Sequence, residues 1–418
     1  MTDPVLPGRF RIGSAAATIV QSTTEAAAEL FAARGGTPGP VSADPLHAAV
    51  AFRSERYLRP MPSQVEDPLT GNYRAADGWV RLHCNYPHHL AAVGAALGTS
   101  LDRADVVAAV RERPALDVEE AVVAAGGAAA AMRTRDEWLA HPQGVALQGL
   151  PLWEVTRFAD APPTGLSTSD RPLSGIRVLD LTHVIAGPVC GRTLAAHGAD
   201  VLHVGAAHLP VVAPLLRDTE FGKRSTYVDL RSPEGVSALR DLVREADVFI
   251  QSYRPGSLAG RGFGLAELAA LRPGIIVVDI SAWGWAGPWR ARRGFDSLAQ
   301  MATGIAYGDP PVPLPLQFLD HGTGWLAAFG AMTALRRRIG EGGSWHVRVS
   351  LAKTGMWLDE QGRTDIAGAE PEVNGLLTET DSAFGPLTHI RIPGELPGAP
   401  PYWDHGPRIA GTDPPEWW

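Results

Sequence analysis

Cysteine is nearly absent: the 418-residue chain has only Cys84 and Cys190. A disulfide scaffold is thereby excluded and a reducing compartment fits, so the expected location is the cytoplasm. Clustered positive charge is missing too. With 37 Lys and Arg against 45 Asp and Glu the formal net charge is -8, and no basic run offers a surface to nucleic acid or anionic lipid. No uncharged run is long enough to span a bilayer, and residues 1–7 lack the charged-then-apolar order of a secretory signal. A Gly-rich phosphate loop, a metal-binding Cys set and a G-x-S-x-G elbow are also lacking. What remains is a globular composition, long enough for two cores or more. Its 46 Gly and 35 Pro imply many turns.

A polar, Pro-containing stretch at residues 160–173 separates two styles of sequence. Beyond it, strands are expected at 176–181, 200–204, 227–230, 247–250 and 275–280. Helices are expected near 188–197, from Pro233 to Ala246 with Ser232 as N-cap, and at 265–271. This alternation implies a parallel sheet covered by helices, with ligands at the carboxyl ends of its strands. Those ends carry Thr182-His183-Val184, Ser252-Tyr253-Arg254 and Ser281-Ala282-Trp283, which suit an anionic, elongated ligand. The first 160 residues read differently. An Ala-rich helix at 15–34 stops at Gly35-Gly36. A turn at Gly71-Asn72-Tyr73, an edge strand at 77–82 and short helices at 104–113, 118–125 and 135–140 follow. The expected division is a helical segment at 1–60, a small α+β domain at 61–165, an α/β Rossmann-like domain at 172–358 and a Pro/Gly-rich tail at 359–418.

The most informative stretch is Leu319-Asp320-His321-Gly322-Thr323-Gly324. It predicts a carboxylate in a Gly-flanked turn ahead of an apolar helix at 325–337. Facing the strand ends, that carboxylate is suited to attack an activated acyl group. Taken alone, Asp320 reads more readily as a helix cap, a role worth roughly 1 kcal/mol, than as a nucleophile. A weak repeat accompanies it: Gly13 precedes Gly35 by the same distance at which Asp320 precedes Gly342, so a first copy would lack the carboxylate. His83-Cys84-Asn85-Tyr86-Pro87-His88-His89 offers zinc-type ligands, but the spacing matches no usual site and Pro87 favours a turn. A cluster of partly exposed polar residues is expected there. The 12 Trp suggest packing, and Cys190 a small buried apolar residue. His183 suits loop hydrogen bonding better than proton transfer.

Motifs spread over 172–358 carry a resemblance. They are Leu173-Ser174-Gly175-Ile176-Arg177-Val178-Leu179-Asp180 with Ala186-Gly187-Pro188, and Gly198-Ala199-Asp200-Val201. Gly222-Lys223-Arg224-Ser225 follows, then Asp229-Leu230-Arg231-Ser232-Pro233-Glu234-Gly235 and Tyr253-Arg254-Pro255-Gly256 with Arg261-Gly262. Gly287-Pro288, Gly294-Phe295-Asp296, Gln300, Asp320 and Gly324 complete the set. In order and spacing the segment resembles the family III CoA-transferases, the CaiB/BaiF family, which includes formyl-CoA transferase and the α-methylacyl-CoA racemases. Residues 68–152 are similar to the small domain that follows the nucleotide-binding half in that family, so the domain order here looks permuted, or the chain is a fusion whose first copy has decayed.

The resemblance implies that Asp320 is the nucleophile, passing through an aspartyl anhydride and an aspartyl-CoA thioester. The substrates it implies are an acyl-CoA and a carboxylic acid acceptor, with no permanently bound cofactor or metal. It implies CoA contacts at Val184, Ile185, Ala186, Val228, Arg231, Ser252, Tyr253, Arg254 and Arg293, with Arg261 a weaker candidate, and a homodimer. Arginines suit phosphates and an apolar loop suits adenine. Three departures stand out. The second strand runs into Gly205-Ala206-Ala207-His208-Leu209-Pro210 where relatives have Glu-Arg-Pro and a long loop. Phe295 replaces the His of the racemases, which argues against racemisation because it needs an acid and a base. Ile185 stands where formyl-CoA transferase has Gln. The alternatives are an acyl-CoA racemase or isomerase and a non-catalytic CoA-binding subunit.

Overall fold

The computed structural model describes residues 3–61, 66–364 and 368–417. Met1, Thr2 and Trp418, and the parts of two expected segments at 62–65 and 365–367, lie outside the described residues.

Three short strands, β1 (Gly71–Arg74), β2 (Trp79–Leu82) and β3 (Ala129–Ala131), form a small antiparallel sheet in that order. β2 is therefore its centre, not the expected edge. The main sheet has seven strands: β4 (Trp153–Ala159), β5 (Arg177–Leu181), β6 (Asp200–Gly205), β7 (Lys223–Tyr227), β8 (Val248–Gln251), β9 (Ile276–Ser281) and β10 (Ser344–Ser350). Their order is β4-β10-β9-β8-β5-β6-β7. All neighbours are parallel except β4, which runs antiparallel to β10. The apolar cores of β5, β8 and β9 explain their place in the middle, since a parallel strand covered on both faces must be apolar throughout.

β5, β6, β8 and β9 lie where periodicity places them, and the Pro233–Glu245 helix starts as expected. There the Ser232 hydroxyl accepts from the Gly235 N–H at 3.1 Å. The third strand does not: it is Lys223–Tyr227, and residues 228–230 are its exit. Lys223 and Arg224 are buried because β5 and β6 supply carboxylates, Asp180 2.8 Å from Lys223 Nζ and Asp200 3.3 Å from Arg224 Nη2. Hydropathy sends such residues to the surface; the ion pairs bring them in. A second difference is that Trp153–Ala159, placed by the sequence in the small unit, pairs with β10 across the 160–173 linker.

The third difference concerns Asp320. It sits in no turn, because the helix begins at Phe318 and runs through both glycines to Glu341. The glycines serve packing. A Cβ on Gly324 would meet the Ala186 carbonyl oxygen at 2.4 Å, so only Gly lets this helix lie against the start of the Ala186–Ala196 helix. Residues Val189, Leu194, Leu326 and Leu335 fill that contact, and Ile19 brings the Ile12–Ala33 helix into the same core. Each fully buried aliphatic side chain of this kind contributes about 1.5–3 kcal/mol. The opposite face of the sheet is covered by Leu239, Leu242, Val243 and Leu268. The small unit keeps its own core around Val80, Val93, Val106 and Val118. Toward the end of the chain β11 (Leu377–Thr380) and β12 (Leu387–Ile390) form a hairpin. Beyond it the Gly411 N–H donates to Ser225 Oγ and the Asp413 N–H to the Ser225 carbonyl, so the tail lies over the outer strand β7. Among the described residues no helix is long and apolar enough to cross a membrane.

Candidate active site

The carboxyl ends of β5, β6, β8 and β9 open into one cavity of about 460 Å3. Asp320 lies on its wall, 6% exposed. Of the residues expected at a CoA site, Val184, Ile185, Ala186, Ser252, Tyr253, Arg254 and Arg293 line it. Val228 and Arg231 are not among its lining residues. Val228 is buried in the core against the Pro233–Glu245 side of the sheet. Arg231 is exposed and clamped on Asp229, with Nη2 2.7 Å from Oδ2. The shift of β7 from the expected 227–230 to 223–227 accounts for both, because residues 228–231 lie beyond the end of the strand. Arg261 donates to the Leu230 carbonyl and is likewise outside the cavity lining.

Val184 has φ of 76°, a left-handed conformation costing a β-branched residue roughly 1–3 kcal/mol. Such strain persists only where surrounding structure enforces it. Here Ile185 behind it is buried, and Gly187 follows so closely on Thr182 that a Cβ would meet its side chain at 2.3 Å. The tight loop brings the start of the Ala186–Ala196 helix to the cavity. At the mouth, Arg254, Arg290 and Arg293 line the wall and form no ion pair among the described residues. Burial, and then the Arg254 charge, lower the Arg293 pKa, and Arg293 Nη1 donates to the Gly126 carbonyl at 2.8 Å. Arg292 is different, since Glu119 holds it at 3.1 Å.

The stretch around His83 is not an exposed cluster. Pro87 opens a helix, Pro87–Leu97, and carries Tyr86, His88 and His89 to the cavity. His83 stacks on Phe295 with ring centroids 3.6 Å apart and 6° between planes. Burial lowers the His83 pKa to about 4 and that of His89 to about 3, so both are neutral at pH 7. Both sides of the cavity therefore come from one chain. Gln143 reinforces this junction, its Nε2 donating to the carbonyls of Trp283 and Ala286. Sequence reasoning missed these contributors because nothing local in the motif signals which large-domain loop will face it. His183 is an exposed wall residue, its ring 5.6 Å from that of Tyr253. Among the described residues no cluster of His, Cys, Asp or Glu could hold a metal ion.

Asp320 has a carboxylate neighbour. Its backbone N–H donates to Asp296 Oδ2 at 3.0 Å, and Gln300 Nε2 donates to the other oxygen of Asp296. Burial pushes the Asp296 carboxyl up to about 6. Burial, then the charges of Asp296 and Glu55, push Asp320 well above the usual carboxylate range. A carboxylate whose anion is this poorly stabilised is a strong nucleophile once ionised.

The sequence is similar to known proteins. Residues 173–380 match the model of CoA-transferase family III. Over those residues the chain is similar to CoA-transferase family III. Acetyl-coenzyme A transferase nodX of Hypoxylon pulicicidum is 36% identical over 257 residues, 55% of this chain and 43% of that protein. The succinyl-CoA–L-malate CoA-transferase beta subunit of Chloroflexus aurantiacus is 34% identical over 203 residues, 44% of this chain and 50% of that subunit. A solved CaiB/BaiF family protein from Brucella suis is 27% identical with a TM-score of 0.42, covering 52% of this chain and 65% of that one. The chain thus spans about half the length of the curated relatives it matches.

Proposed function

We propose that the chain is an acyl-CoA:carboxylate CoA-transferase with Asp320 as its nucleophile. The observation that carries this reading is a buried, hard-to-ionise carboxylate on the wall of a cavity also lined by Arg254, Arg290 and Arg293, which form no ion pair among the described residues. Phosphates of CoA pair with Arg254, Arg290 and Arg293, and the thioester lies inward past the Val184-Ile185-Ala186 loop. An Asp320 oxygen attacks the thioester carbonyl, the C–S bond breaks and CoA leaves as the thiolate. The thiolate then attacks the aspartyl carbonyl and the donor leaves as its carboxylate. The acceptor carboxylate attacks the aspartyl-CoA thioester, again expelling thiolate, which takes the acceptor acyl group and frees Asp320. Each exchange conserves one activated acyl bond, so no outside energy source or permanent cofactor is required.

The names of the relatives support a transferase; two of them act on acetyl-CoA or succinyl-CoA by name. Phe295 packed under His83 supplies no acid or base of its own, which disfavours a racemase. We further infer a cytoplasmic homodimer whose domain order is permuted, or whose chain is a fusion with a decayed first copy, the equal spacings of Gly13–Gly35 and Asp320–Gly342 supporting the fusion. The test is intact-mass analysis with a panel of acyl-CoAs, followed by hydroxylamine trapping and peptide mapping. A hydroxamate at Asp320, absent from Asp320→Asn, is expected. Binding of CoA without any adduct would instead mark a CoA-binding subunit.

A further inference from the structure

Outside the cavity lining, yet close enough to act on Asp320, lies a second carboxylate that the transfer reaction does not use. Glu55 belongs to a short turn, Ser54–Arg56, in the N-terminal segment. That turn is fastened to the large domain: Ser54 Oγ donates to Asp218 Oδ2 at 2.8 Å, and Arg192 pairs with the same oxygen at 2.9 Å. Glu55 is thereby delivered to His321, whose Nε2 is 3.2 Å from its Oε2. His321 is fully buried, packed against the Phe52 ring with centroids 6.0 Å apart. It follows the nucleophile directly in the helix and is not among the cavity-lining residues, so it touches no substrate.

The electrostatics around the nucleophile are crowded with one sign. Asp296 and Glu55 both oppose an ionised Asp320; His321 bears on those two carboxylates, and Arg56 on Glu55. A bare Glu55 carboxylate at this depth would be strongly felt, because the low local dielectric screens little. Its hydrogen bond to the imidazole confines that charge. We propose that His321 is a positioning residue that shields the nucleophile, binding the Glu55 carboxylate so that its charge does not oppose the ionised Asp320 during thioester attack. The inference rests on the reading of Asp320 as nucleophile. It gives the N-terminal segment a part in the reaction without any contact with substrate.

The full chain is tested by single-turnover acylation of Asp320 with the acyl-CoA that labels it, followed by hydroxylamine trapping across pH. In His321→Gln the acylation rate is expected to fall at least tenfold at pH 7, with acyl-CoA affinity unchanged within about twofold. Its acidic limb should move to higher pH by about one unit, corresponding to that tenfold change. Adding Glu55→Gln should restore the rate and the limb most of the way, which no purely structural account of His321 predicts. The Glu55→Gln chain alone keeps the shape of the turn, and its limb should move to lower pH. An unshifted limb in His321→Gln, a double variant no faster than the single one, or an upward shift in Glu55→Gln would each overturn the inference. Failure of the underlying reading is separable, because it appears as no trapped adduct at Asp320 in the unsubstituted chain.

Discussion

Asp296 and Asp320 face one another so that the carboxylate of the first accepts the backbone N–H of the second at 3.0 Å. One acidic side chain thus orients the peptide that carries another, and two like charges share a buried site. Both folded-state pKa values lie above the unfolded ones. Their protonated forms therefore stabilise the fold below about pH 4, and that contribution is lost as pH rises through about 6. Asp320→Asn removes one of the two charges. It should raise stability at pH 7.5 by about 1–3 kcal/mol, with the gain vanishing toward pH 4. Urea unfolding of both proteins at the two pH values checks this, and a gain that grows toward acid would contradict it.

Cations at the cavity mouth should matter and those outside it should not. Arg254→Ala and Arg293→Ala are each expected to weaken acyl-CoA binding about tenfold, less at high salt because the partners are partly exposed. Arg231→Ala should leave binding within about twofold, since its guanidinium is clamped on Asp229 away from the cavity. Calorimetric titrations at two salt concentrations give the comparison.

Lys223 is completely buried with Asp180. Lys223→Met strips the charge that compensates Asp180, and the expected cost is about 3–5 kcal/mol. Combining it with Asp180→Leu should recover a good part of the loss, because an uncompensated buried carboxylate is worse than none. Chemical denaturation of the three variants decides the point.

Val184→Gly relieves a left-handed valine. The relief slightly exceeds the entropy that glycine adds to the unfolded chain, so thermal stability should rise by about 0.5–1 kcal/mol. Acyl-CoA affinity should fall, since the loop loses both a wall contact and its fixed shape. A variant that melts earlier and binds equally well would show that the strain has no part in the site.

The sheet was legible where side chains speak for themselves. Four of the six residues in Ile276–Ser281 are β-branched, and Ser232 with Pro233 marks a helix start by local chemistry alone. The strand at Lys223–Tyr227 departs from the expected 227–230 because the burial of Lys223 and Arg224 depends on Asp180 and Asp200, which belong to other strands. Gly322 and Gly324 read as a turn in the sequence alone, because glycine's need for close packing is invisible until the neighbouring helix is in place. Asp320 could be singled out from its motif, whereas Glu55, Tyr86 and His89 gain meaning only from what folds against them. Long-range contacts of that sort leave no periodic or compositional trace in one sequence.

Strand Trp153–Ala159 lies upstream of the Pro-containing linker yet completes the main sheet beside β10. The linker is therefore a seam of composition and not of architecture. Recombining this chain with a relative at residues 160–173 would transplant a sheet without its border and leave the hydrogen-bonding edge of Ser344–Ser350 open to other chains. A viable crossover point lies before Trp153, where the border strand travels with the sheet it seals.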